Sequence, residues 1–492
     1  MTLRTLALAT CLGWTVIAPL IETREAVAAE AGRRAVAVAS AAEPVRAGAA
    51  MVPLRVPSGT PLAGYGSLRR RLLVPDLLGL HPHAFWFRPA EGELDAPAAR
   101  ALVVETATVR LTWVTVDLIA VDRAFVDAVQ QRLEDAGSRP GTLVVSASHT
   151  HSGPGAFLDS WLMGILATDR FDGEVLRAFL DTVVEAVQRA EAGKAPSRIG
   201  TARIDGPALT ASRLDQPVDP EIVVLRVVSP TGAPIALLWN YAIHGTVLGA
   251  RNLKYSGDVM GMAARELERR LRVPALFVNG AVGDVSPRRH GPTALAADAR
   301  TLAAAVEETW ARANPEPVST LTMRTARVRL PAPTLSLRNC TRPWIPRALT
   351  LPLGRTLPRE TELIAGALGG AAWVTIPGEL QARLGRAVKE AGQAAGLHAF
   401  VAGVSNDYLG YFLAAEDYDR SAYVAWFGWS TPLDMALSRA RIASRIAGDA
   451  VGPSATRAAL IRVRTRDRTV RLRSRRRSFC RIRFIADFVF AT

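Results

Sequence analysis

The chain has 492 residues, of which 49% are hydrophobic, with a formal net charge of +15 at pH 7. That is a globular composition with enough apolar chain for a large core in one domain or two smaller ones, which excludes a disordered polypeptide. The charge does not mark a nucleic-acid-binding body: twelve arginines against Asp467 and Asp487 between Arg457 and Thr492 carry most of the excess, leaving the rest of the chain nearly balanced.

At the N-terminus, Arg4 precedes an apolar run from Leu6 to Ile21 and small residues around Ala26 to Ala29. Residues 1–29 read as a secretory signal peptide, which places the mature protein outside the cytoplasm, secreted or periplasmic. Residues 30–50 are Ala-rich without periodicity and read as a linker. The globular body is expected over 51–452, with an Arg-rich basic tail over 453–492. No later segment reaches the ~18 apolar residues that a membrane span requires, so no transmembrane segment is expected in the mature chain. Cys11, Cys340 and Cys480 have no CxxC spacing, which argues against a thiolate metal centre or a disulfide framework. A tightly bound metal would need His or oxygen ligands.

Within the body, Ala101–Glu105 and Leu111–Asp122 are β-branched, apolar stretches with a turn at 108–110. Arg123–Ala136 follows with apolar residues at helical spacing, and Thr142–Ser146 returns to strand. Strand, helix, strand implies a parallel pair with a right-handed crossover. The order recurs, with strands near Ile222–Val228, Pro234–Tyr241 and Val273–Val278 and a helix over about Gly257–Leu271. A helix near Thr293–Ala313, strands near Leu321–Leu330 and Ala371–Ile376, a helix over about Gly378–Ala395 and a strand near Ala399–Gly403 complete it. The alternation predicts an α/β fold: one large domain with a largely buried mixed sheet flanked by helices, and ligands at the carboxyl ends of strands.

Five polar clusters follow apolar strands: SASHTHSGPG (146–155), NYAIHGT (240–246), NGAVGDVSPR (279–288), IPGEL (376–380) and SNDYLGY (405–411). In an extended or turning segment His149 and His151 diverge, so that one imidazole can face a metal and the other a substrate. A zinc ion takes about four N or O ligands, and His149, His244 and Glu379 supply a two-histidine, one-carboxylate set. Each residue has a plainer reading: Glu379 can favour a helix N-terminus, Ser286 can serve a turn, and Arg213 can be a surface ion-pair partner. His81, His83, His290 and His398 read as loop or structural residues.

In order and context these clusters resemble the neutral/alkaline, non-lysosomal ceramidase family. The resemblance rests on His149-Thr-His-Ser-Gly-Pro-Gly155, His244 ahead of Ser256-Gly257-Asp258, Gly283-Asp-Val-Ser-Pro287, Pro377-Gly-Glu379 and Asn406-Asp-Tyr-Leu-Gly-Tyr411. It spans roughly Met51 to Pro432, the family's N-terminal catalytic domain, without a counterpart of its C-terminal immunoglobulin-like domain. The resemblance implies His149, His244, Glu379 and Tyr411 as ligands of a Zn2+ cofactor, and His151, Arg213, Ser286 and Tyr423 as catalytic groups. Ser286 would be a nucleophile or an anchor for substrate hydroxyls. The implied activity is hydrolysis of the amide of ceramide, an N-acyl sphingoid lipid. The alternatives are another lipid amide or ester, or a degenerate member that binds through its basic tail. The expected partner is a ceramide-like lipid, with peripheral contact to an anionic membrane left open and no specific nucleic acid.

Overall fold

The computed structural model describes residues 43–330 and 358–417, together with the short strands Thr334–Ser336, Thr350–Pro352 and Gly428–Ser430. The signal-peptide segment, the Arg-rich tail, Tyr423 and all three cysteines lie outside the described residues.

The first sheet contains β1 (Arg46–Pro53), β2 (Ala98–Glu105), β3 (Arg110–Val116), β4 (Thr142–Ala147) and β5 (Ala195–Pro196), in the order β4-β3-β2-β1-β5. β2 and β3 form an antiparallel hairpin, and β4 lies parallel to β3 after helix α1 (Arg123–Asp135). Asp122 starts α1 by accepting from the Phe125 amide, and Phe125, Val126, Val129 and Leu133 form its buried stripe. Helix α2 (Gly173–Ala192), capped by Asp172, packs against β1 and β2.

The same unit recurs twice. In the second sheet, β6 (Arg198–Asp205) joins the antiparallel pair β8 (Glu221–Val228) and β9 (Pro234–Tyr241). Helix α3 (Asp258–Leu271) then leads to β10 (Ala275–Asn279), parallel to β9. Helix α4 (Pro292–Arg312) packs beside α3. In the third sheet, β13 (Leu321–Arg329), β16 (Glu360–Leu368) and β17 (Ala371–Thr375) are antiparallel neighbours, and α5 (Ala382–Gln393) leads to β19 (His398–Ala402), parallel to β17. One central core joins the three: Val144 from the first, Leu225 and Leu276 from the second, Ile364 and Phe400 from the third. The Trp113 and Trp373 rings meet there at 5.2 Å.

The mixed α/β class is therefore as expected, but the strands of the described residues divide among six sheets in place of one, the three largest each with a hairpin and one parallel crossover. Three local readings also change. Arg46–Ala50 is the first half of β1 rather than the end of a linker. α2 runs so close that a Cβ on Gly48 would lie 2.2 Å from the Ala190 carbonyl oxygen, so only small residues fit and the strand has no apolar signature. β3 ends at Val116 instead of continuing to Asp122, because Asp117 turns to take the Ala98 amide and the Arg100 guanidinium. The helix expected from Gly378 begins at Ala382, so Glu379 belongs to a two-residue strand, β18 (Glu379–Leu380), and not to a helix N-terminus.

Candidate metal centre

The polar clusters sit just past the carboxyl ends of β4, β9, β10, β17 and β19, and asparagine side chains join them across the sheets. The Asn279 amide donates to the carbonyls of Ser148 (3.0 Å) and Ile243 (3.1 Å), the residues immediately before His149 and His244. Its own carbonyl accepts from Gly403 at 2.8 Å, which brings in the loop after β19. Asn406 accepts from the Val145 amide at 2.7 Å and donates to the Leu143 carbonyl at 3.1 Å, continuing the edge of β4.

His149 is buried with φ 66°, a left-handed backbone. That reversal removes the divergence expected of His149 and His151: the two rings converge, with centroids 5.1 Å apart. His244 joins them at 4.5 Å from His149 and 4.9 Å from His151. One ligand atom from each of the three imidazoles lies within 4.8 Å of the others, a group able to hold a metal ion.

The hydrogen bonds assign the tautomers. His149 Nδ1 donates to the Ile119 carbonyl at 2.6 Å, leaving Nε2 as a lone pair 3.3 Å from Glu379 Oε1. His151 Nδ1 donates to the Gly64 carbonyl at 2.9 Å, leaving Nε2 as a lone pair 3.0 Å from His244 Nε2. His244 Nδ1 lies 3.7 Å from Glu379 Oε2. His149 Nε2, His244 Nδ1 and Glu379 Oε2 are all buried without a hydrogen-bond partner. Acceptors facing one another in a buried site repel unless a cation lies among them, so this donor set fits a divalent ion. His151 stands beside that set, its Nε2 lone pair facing His244.

Burial holds the His151 imidazole well below its ordinary range. His244 is held down in the same way, by burial and then by the charge of Arg213. Both imidazoles are therefore neutral at pH 7, as ligands and proton acceptors must be.

Arg213 follows β7 (Thr210–Ser212), which pairs with β11 (Val285–Pro287). Its amide donates to the Asp284 carbonyl and its Nε to Ser286 Oγ, both at 2.6 Å, so Arg213 and Ser286 form one unit. Asp284 ties this unit to the carboxylate strand: one oxygen accepts from Ser212 Oγ at 3.0 Å, the other from the Ala382 amide at 2.7 Å. Tyr411 lies on β20 (Tyr411–Leu413), directly beside Glu379 across a parallel ladder. The hydroxyl bonded to Glu379 Oε1, at 2.6 Å, is however that of Tyr408. Tyr423 lies outside the described residues.

Sequence reading assigned no role to Asn279, Asp284 or Asn406, although all three stand inside its motifs, and chose Tyr411 over Tyr408 on the register of the family resemblance. It also missed the Gly64–Arg70 loop, which carries no motif. There the Tyr65 ring lies 5.0 Å from the His151 ring, and buried Arg70 donates to the His151 carbonyl at 2.8 Å. Of the four other histidines, His83 pairs with Asp172, His290 with the Thr246 carbonyl and His398 with the Thr201 hydroxyl, and the His81 amide donates to Asp76.

Residues 89–307 match the family model for the N-terminal part of neutral/alkaline non-lysosomal ceramidase. Among curated relatives, neutral ceramidase of Mycobacterium tuberculosis is 28% identical over 183 residues, 32% of this chain and 28% of that protein. Neutral ceramidase of Pseudomonas aeruginosa is 28% identical over 213 residues, 38% of this chain and 31% of that protein. The matched stretch thus spans less than a third of either relative. The crystal structure of the Pseudomonas aeruginosa neutral ceramidase superposes with a TM-score of 0.65 at 22% identity, over 78% of this chain and 71% of that one. A ceramidase complexed with C2 gives 0.64 at 20% identity, over 78% and 72%. At such identity the superpositions establish the fold.

Proposed function

We propose that this chain, whose residues 89–307 match the family model for the N-terminal part of neutral/alkaline non-lysosomal ceramidase, is a zinc-dependent amidohydrolase that cleaves ceramide into a sphingoid base and a fatty acid. The observation that carries this reading is the convergence of three buried, unpartnered acceptors, His149 Nε2, His244 Nδ1 and Glu379 Oε2. His149, His244 and Glu379 would hold the ion, with Tyr411 as the further ligand carried by the resemblance. A bound zinc ion supplies Lewis acidity, lowering the pKa of water from about 15.7 toward about 7.

The remaining chemistry belongs to side chains of this chain. His151, neutral and hydrogen-bonded through Nδ1 to a backbone carbonyl, keeps Nε2 as the atom that takes a proton and returns it to the leaving amine. Arg213 brings a fixed positive charge to the amide oxygen that becomes an oxyanion. Ser286, held by Arg213 Nε, orients the hydroxyls of the sphingoid head. Tyr423 enters beside Arg213 from the sequence resemblance alone.

Purified protein is expected to contain about one zinc per chain and to hydrolyse N-acylsphingosine. His149→Ala should lose both, and full zinc stoichiometry in that variant would refute the ligand assignment. A panel of N-acyl lipids and simple esters decides the substrate class: turnover of esters without ceramide would replace the amidase reading by an esterase on the same site.

A further inference from the structure

Among the described residues, most of the large apolar side chains left in solvent gather in two segments. Leu73, Val74, Leu77, Leu78 and Leu80 stand on one, with Leu73 97% exposed. Trp161, Leu162, Ile165 and Phe171 stand on the other, with Trp161 71% exposed. Exposed apolar clusters of this kind mark binding surfaces. Between Gly64 and Ala90, and between Trp161 and Asp172, the exposed charged residues are all arginines: Arg69, Arg88 and Arg170.

The acidic residues of both segments are hydrogen-bonded within the fold. Asp76 accepts from the Leu80 and His81 amides and so shapes the turn that carries the leucines. Asp169 is buried at φ 70° and accepts from the amides of Phe85, Trp86 and Phe87. Asp172 caps α2 and pairs with His83. The segments are also bound to each other: Gly64 donates to the Ala167 carbonyl at 2.8 Å, Arg71 to that of Ile165, and the Arg170 guanidinium lies 4.2 Å over the Phe85 ring. A buried aspartate and three backbone donors thus hold this face in place. The face is rooted at the metal centre, since the Gly64 carbonyl that begins it takes the His151 Nδ1 proton.

We propose that this face docks on an anionic phospholipid bilayer, its leucines and Trp161 entering the interfacial region and Arg69, Arg88 and Arg170 meeting lipid phosphates. Aliphatic side chains with an interfacial tryptophan and a rim of arginines are what such a surface rewards. Docking presents the His151 side of the site to a substrate still in the membrane. Only this last statement rests on the lipid-amidase reading; the docking itself does not.

The test uses the full chain and vesicles of phosphatidylcholine with and without phosphatidylglycerol. Combined Leu73→Ser, Leu77→Ser and Leu78→Ser should weaken partitioning on the order of 100-fold and Trp161→Ser roughly 10-fold. Leu94→Ser, at an exposed leucine outside both segments, should change nothing. If the wild type hydrolyses a water-soluble short-chain N-acylsphingosine, the triple variant should do so equally and lose turnover only in vesicles. Unchanged vesicle binding by the triple variant would overturn the proposal. So would binding lost only on deletion of residues 457–492, or a wild-type dimer that the triple variant converts to monomer. Vesicle binding without any amide hydrolysis would defeat the functional reading and leave the docking face standing.

Discussion

A histidine at φ 66° costs on the order of 1–2 kcal/mol over an ordinary backbone, and His149 is one of several such residues at this centre. Asp258 (φ 53°), Val404 (φ 50°) and Asn406 (φ 63°) share the left-handed conformation, and for the β-branched Val404 it is a true outlier. Strain of this kind persists only where neighbours over-determine it. Here the buried asparagines supply the fixing contacts. Asn279→Ala would leave the Ser148 and Ile243 carbonyls without a donor, at about 1–3 kcal/mol for each buried unpaired group. We expect a stability loss of roughly 3 kcal/mol in urea denaturation and, because those carbonyls immediately precede His149 and His244, a parallel loss of zinc affinity. Loss of stability with unchanged affinity would show that Asn279 fastens the sheets without positioning the histidines.

Two elements bring His149 and His244 together: the loop after β4 and the loop after β9, which touch through the bridge between Thr150 and Gly245. A Cβ at Gly245 would lie 2.5 Å from the His149 carbonyl oxygen and 2.7 Å from Thr150 Cα, so Gly245→Ala must force the loops apart. Overpacking against backbone should cost about 2 kcal/mol, and weaker zinc binding by titration would separate this effect from a general loss of folding. α3 controls the same loop from its first residue. The Asp258 carboxylate accepts from the amides of Val247 (3.2 Å) and Leu248 (3.1 Å), fixing the chain just past His244. Burial pushes that carboxyl up to about 6, above the value of about 3.9 expected unfolded. Its folded state therefore binds the proton more tightly, and its contribution is largest below pH 4 and falls as pH rises through 6. Asp258→Asn removes the titration and keeps an acceptor. The stability of wild type relative to this variant should drop by roughly 2 kcal/mol between pH 4 and pH 7; a difference flat across that range would mean that burial does not raise this carboxyl.

Across the whole molecule, what could be read from the residues was local. The strand-then-polar-cluster order located His149, His244, Glu379 and Ser286, because a strand end and its motif lie within a few residues of each other, whereas Arg213 came from the family resemblance. Pairing between distant strands was hidden: Asn406 completes the edge of β4 across 261 positions, and no periodicity reports a contact of that span. β1 was hidden by the small residues that α2 requires, and the loop at Gly64–Arg70 by having no motif. The long-range pairing gives the metal centre a mechanical meaning. His149 follows a strand of the first sheet, His244 one of the second and Glu379 one of the third, so an ion held by all three is a crosslink among sheets otherwise joined by the core and the asparagines. An ion that binds only the folded chain adds about 2.7 kcal/mol at a free concentration one hundred times its dissociation constant. Chelation should therefore lower the wild-type melting temperature by several degrees, restored by adding zinc. His149→Ala, with one sheet released from the ion, should melt at nearly the same temperature with and without chelator. Equal shifts in both proteins would place the stabilising ion elsewhere, and no shift in the wild type would mean that the three loops are held without it.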